Sequence, residues 1–251
     1  MVAEKSLSAF WRSKRSGDRI LELASVLKSS QSLMGVMGGD YTVLWNAEAS
    51  SKTRHGSRQV RLDYTPLANA KAPFKGGDVD QVIGFAAHEA GHVLWTDNLG
   101  EMEIQKALQR KRARLPSWLK QRARRDNQYN SRTTGPLVFG PEIFRELHHT
   151  LNILEDAYLE ARIRREWPVL GEYIRVCRHG LEDRANIDFS AVLKADRPGR
   201  GWITNLWVSI ALFGHSIPNG KHHRVLTALM NITERAILED STTTRLDLAV
   251  D

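Results

Sequence analysis

Two histidines four residues apart, with a glutamate beside the first, are the residues of this chain best suited to chemistry: His88-Glu89-Ala90-Gly91-His92. On a helix, positions i and i+4 share a face, so both imidazoles address one point in space. A zinc ion needs this of its first two ligands, and Glu89 stands where a carboxylate can polarise a water at the metal. Spacing, helix and acid all serve one chemistry, metal-assisted hydrolysis. Chance is the competing account, since nine His are spread over 251 residues. The context argues against it. Val82–Ala87 is almost entirely apolar, and two His and a Glu in such a helix are costly without a partner. A metal is that partner.

A four-coordinate catalytic zinc takes three protein ligands and keeps one position open. The third is sought in Asn152-Ile153-Leu154-Glu155-Asp156-Ala157-Tyr158-Leu159-Glu160, inside a long helical pattern that opens at Gly140-Pro141 and stops near Trp167-Pro168. Leu147, Leu151, Leu154 and Tyr158 recur at helical spacing as its apolar stripe. At about 100° per residue, Glu155 flanks that stripe and Asp156 falls on the opposite side. Glu155 is therefore the expected third ligand, with Asp156 or an ordinary helix acid as the alternatives. Asp156 and Glu160, one turn apart, are expected to orient ligands from behind or to pair with Arg162 and Arg164. His148, on the Glu155 side, is a weaker candidate for a supporting role.

His88-Glu89-Ala90-Gly91-His92 followed by Thr96-Asp97, and then Asn152-x-x-Glu155-Asp156-x-x-x-Glu160, resembles the gluzincin class of zinc metallopeptidases. The nearest likeness is to the metallopeptidase-like region of cobaltochelatase T-subunit-like proteins of bacteria and large phages. It covers roughly residues 78–167. The resemblance implies His88, His92 and Glu155 as zinc ligands and Glu89 as general base. Tyr158 stands where many relatives carry Arg, and no von Willebrand factor A pattern follows.

These side chains need a framework. A helix is expected around Asp18–Lys28, capped by Ser16 or Asp18. Two β-rich runs follow, Tyr41–Trp45 and Gln59–Tyr64, with Glu48–Arg58 as a polar loop between them. Asn69–Asp78 leads into the motif helix, with Asp78 or Asp80 as its cap. Turns at Asp196–Gly201 and Ser216–Gly220 separate helices near Ile203–Phe213 and His222–Leu238. The expected fold is α+β and predominantly helical, a single zincin-like domain over 1–251. Its parts are an N-terminal helix and small sheet (1–80), a metal-binding core (81–171) and a helical C-terminal part (172–251).

Composition sets the bounds. The net charge is +7, yet Lys106–Arg125 alone places nine cations in twenty residues without an acid. Pro116 breaks this run into two basic helical pieces around Trp118. It is a candidate surface for nucleic acid or another polyanion, against the plainer reading of a solvated face or a dock for an acidic partner protein. No apolar run reaches 18 residues, and Met1–Arg19 has no apolar signal core, so neither a membrane span nor secretion is expected. The lone Cys177 reads as a small core residue in a reducing compartment. These readings converge on a cytoplasmic (or, in a phage, virion-associated) zinc peptidase acting on protein or peptide. The rival is a non-catalytic, zinc-stabilised scaffold associated with nucleic acid.

Overall fold

The computed structural model describes residues 17–48, 50–97, 99–129, 139–185 and 202–250. They form ten α-helices and three strands in the order α1 (Arg19–Val36), β1 (Thr42–Asn46), β2 (Lys52–Arg54), β3 (Gln59–Asp63), α2 (Thr65–Ala68), α3 (Gly76–Trp95), α4 (Glu101–Arg110), α5 (Ser117–Tyr129), α6 (Pro141–Glu166), α7 (Pro168–Ala185), α8 (Trp202–Phe213), α9 (His223–Ile237) and α10 (Thr242–Val250). The chain is thus predominantly helical with one small sheet. It divides into two compact units, Met1–Thr96 with Leu159–His215, and Asp97–Tyr158 with Ser216–Asp251.

In the first unit α1 starts where Asp18 accepts from the Ile20 and Leu21 amides, at 2.8 and 3.4 Å. It continues well past Lys28, because Met34 and Met37 also find buried sites. The two expected strands form as β1 and β3 and pair in parallel, with Val43 opposite Val60 and Trp45 opposite Leu62. Part of the expected loop is instead β2, which pairs antiparallel to β3 as an edge strand. Its sequence, Lys-Thr-Arg, has no apolar alternation to announce it, and cross-strand pairing alone selects it.

Helix α3 is the hub of this unit, packed by α1, α2, β2, β3 and α7. It begins at Gly76 after Lys75, so Asp78 and Asp80 lie inside the helix and neither caps it. Residues on every side of it are buried, from Val79 through Gly91. Two glycines permit the closest approaches. A Cβ at Gly84 would stand 2.3 Å from the Tyr173 carbonyl oxygen and 2.5 Å from the Cys177 Cβ. At Gly91 it would press on Leu159 and Ile163 of α6, both at 3.1 Å. Gly91, inside the His-Glu-x-x-His pattern, thus lets α6 lie directly on the histidine helix. Cys177 is buried against α3, as expected of a core residue.

The second unit has its own core of Ile104, Leu108, Leu115, Ala123, Phe139, Ile143, Leu151 and Leu246. The basic run begins in α4 and ends in α5; α4 already stops at Arg110, so Lys111, Arg112 and Arg114 lie in the turn between the helices, and α5 starts just after Pro116. Helix α10 was not foreseen; it packs on α4 and α9. The turn expected at Asp196–Gly201 lies outside the described residues. No described helix is long and apolar enough to cross a membrane.

Candidate metal centre

His88 and His92 project from one face of α3, with ring centroids 4.9 Å apart. Each ring is held at Nδ1. Glu160 of α6 meets His88 Nδ1 at 3.1 Å, and Thr96, just past the end of α3, meets His92 Nδ1 at 3.1 Å. The Glu160 carboxylate at His88 Nδ1 favours the tautomer with its proton there, which leaves Nε2 as the nitrogen able to meet a metal. Among the described residues, the group able to hold a metal ion is His88, His92 and Asp156, whose ligand atoms all lie within 4.8 Å of one another. Ligand atoms on a tetrahedral zinc, each at about 2.1 Å, stand about 3.4 Å apart, so modest side-chain adjustment closes the set.

Glu155 is placed elsewhere. Its carboxylate is buried and accepts from Arg245 Nε at 2.7 Å and Nη2 at 2.9 Å. Asp156, one residue later and only partly buried, takes the place beside the histidines. The structure thus brings Asp156, the alternative named from the sequence, beside the two histidines, while the expected ligand Glu155 is engaged by Arg245. The reason lies in the burial of α6, where Ile153, Leu154, Ala157, Tyr158, Leu159 and Ile163 are all covered. An apolar stripe cannot say which way a metal lies when a helix is buried nearly all round. A better signal was present. Asp156 and Glu160 are i and i+4, so the carboxylate that supports His88 and the one that joins it share a face.

Glu160 is fully buried and collects three cationic or polar donors. Besides His88 it accepts from Arg178 Nε at 2.7 Å and from Arg164 Nη2 at 3.0 Å, with Arg178 Nη2 in still closer contact. Burial pushes its carboxyl upward, but Arg178 and then His88 outweigh this and hold it below the ordinary value of 4.5. A depressed carboxylate contributes stability that is complete above its unfolded pKa and is lost as pH falls through its folded one. Acid titration of urea stability should therefore show a decline beginning near pH 4.5 and continuing below it. Glu160→Gln should flatten that limb; an unchanged acid limb would refute the assignment.

Glu89 is buried, and its Oε2 accepts from Thr53 Oγ1 of the edge strand β2 at 2.7 Å. The same hydroxyl lies 3.3 Å from the Glu89 carbonyl oxygen. Thr53 was not singled out in the sequence, because nothing local marks a threonine in a polar loop as a partner of a residue 36 positions later. Arg162 pairs with Glu166, while Arg164 pairs with Glu160. His148 is exposed and outside the metal group. Comparison with protein families, with curated proteins and with solved structures returned no match to this chain.

Proposed function

We propose that this chain is a zinc-dependent peptidase, with His88, His92 and Asp156 as ligands and Glu89 as general base. The observation that carries the reading is the fixing of both imidazoles at Nδ1 beside a convergent carboxylate. Two imidazoles and one carboxylate suit zinc and leave one of four positions open. They also suit ferrous iron, but a glutamate adjoining the first histidine on the same helix favours hydrolysis. When bound, zinc supplies Lewis acidity toward a scissile carbonyl and lowers the pKa of a water to about 7. Thr53 holds Glu89 at Oε2, so Oε1 is the atom that takes the proton of the attacking water and returns it to the leaving amine. Glu160 and Thr96 keep both rings from rotating. A small sheet beside the histidine helix, followed by a helix carrying the acid, supports a zincin-like plan, an argument by fold analogy.

Elemental analysis of the purified chain should give about one zinc per chain, as a three-ligand open site requires. His88→Ala and Asp156→Ala should both lose it, while Glu155→Gln should retain it in whatever fraction stays folded. Iron in place of zinc would overturn the assignment. So would zinc that survives both substitutions.

A second reading rests on the basic segment. Lys106, Arg110, Arg112, Arg114, Arg124 and Arg125 are all exposed, and Trp118 is 59% exposed among them. Arg110 is tied to Asp247 at 2.5 Å, while Arg124 and Arg125 lie on α5, the helix that carries Trp118. This surface suits a polyanion, with stacking on Trp118. Replacing Arg112, Arg114, Arg124 and Arg125 by Gln should weaken binding to single-stranded DNA. It should also flatten the salt dependence, by about one unit of log–log slope for each phosphate that is no longer neutralised. Unaltered affinity and slope would leave the run a solvated face.

A further inference from the structure

We propose that a second site, a cavity of about 430 Å³ between the end of α6, α7 and the end of α8, binds a small organic phosphate. Three guanidiniums line it, from Arg164, Arg175 and Arg178, together with the imidazole of His179. Glu172 is the single carboxylate in its wall. With Glu160, which Arg164 and Arg178 both contact, three guanidiniums face two carboxylates, so the wall keeps a positive excess and attracts an anion. A phosphoryl group offers three oxygens to several guanidiniums where a carboxylate offers two, which favours a phosphate over a carboxylate.

Acids hold the arginines in place and offset part of their charge. Arg175 Nε donates to Glu172 at 2.9 Å, and Arg164 and Arg178 both reach Glu160 behind the cavity. A guanidinium carries five N–H donors in a rigid fork, so Arg164 and Arg175, each holding a carboxylate through one nitrogen, keep the capacity to bind phosphoryl oxygens. Helix α7 adds the positive end of an 18-residue dipole, its first turn entering the wall at Pro168 and Gly171. The remaining wall is apolar. Leu212 and Phe213 line it, and the Arg178 guanidinium lies 6.0 Å over the Phe213 ring. An anionic head with a flat or apolar body fits this pairing of surfaces, and the volume is within the range of small-molecule sites.

None of His88, His92 and Asp156 lines the cavity, so the proposal does not depend on the metal or on hydrolysis. It does touch their support. An anion that draws on Arg164 and Arg178 competes with Glu160, which holds His88.

The test is calorimetric titration of the full chain, in the presence of EDTA, with phenyl phosphate, inorganic phosphate and benzoate. Phenyl phosphate should bind saturably, one per chain, more tightly than inorganic phosphate and about 10-fold or more tighter than benzoate. Arg175→Gln should weaken it by about 10-fold or more, since the variant has no charge to offer a phosphoryl oxygen. The Arg175 side chain is 58% exposed, so this variant keeps the fold. A second measurement needs no variant. Phenyl phosphate should protect Arg164 and Arg175 of the wild-type chain from phenylglyoxal, read by peptide mass spectrometry, and leave Arg58 unprotected. Absence of saturation at millimolar phenyl phosphate would overturn the proposal. Equal binding of benzoate, or protection that includes Arg58 equally, would overturn it too. EDTA makes each result independent of the zinc assignment.

Discussion

Glu89→Gln is expected to keep the metal and the fold while lowering peptide hydrolysis by about 100- to 10,000-fold, the usual worth of a positioned general base. The amide has nearly the shape of the carboxylate, so the hydrogen bond from Thr53 has an oxygen to meet in the variant as in the wild type. What it cannot do is accept a proton and give it back. Thr53→Val should act in the same direction but less strongly, because it frees the carboxylate to rotate without removing it. The assay is cleavage of a quenched fluorescent peptide library and of unfolded protein, alongside zinc analysis of each variant. Equal activity of wild type and Glu89→Gln would exclude the proposed base. Equal inertness of both, with zinc retained, would favour a scaffold whose metal serves only folding.

The largest stability effect is expected at Arg245. This side chain is completely buried in the second unit and donates from all three of its nitrogens. It forks onto Glu155, reaches Thr242 Oγ1 at 3.1 Å, donates from Nη1 to the Glu239 carbonyl, and lies 3.8 Å over the Tyr158 ring. Arg245→Met leaves the Glu155 carboxylate buried without its countercharge, a destabilisation of about 3–5 kcal/mol. The double variant Glu155→Leu with Arg245→Met should recover most of this, since a buried ion pair and a well-packed apolar pair are of similar worth. Urea unfolding of the two singles and the double gives the coupling directly. If Arg245→Met is as stable as wild type, the pair has no structural role and Glu155 must be reconsidered as a ligand. Because the test reads stability, it separates the fate of Glu155 from any question about zinc.

What the chain alone made legible depends on neighbours within one turn. Four-residue spacing brought His88 and His92 to one face, and one apolar stretch made their helix an interior one. Pro141 marked a helix start, Pro116 a break in the basic run and Trp167-Pro168 a helix stop, because proline lacks the N–H that a continuing helix requires. That a further helix begins at Pro168 itself was not foreseen. The alternation in Gln59–Tyr64 announced β3 for the same local reason. Which of Glu155 and Asp156 lies beside the histidines is a matter of packing instead. They differ by a single step around a helix buried on nearly all sides, and what separates them is Arg245, 90 residues from Glu155 on a helix the sequence did not reveal. Thr53 and Arg178 joined the site in the same way, through contacts that no local pattern encodes. Periodicity reports which face of a helix avoids water. It does not report which of two buried neighbours a carboxylate will meet.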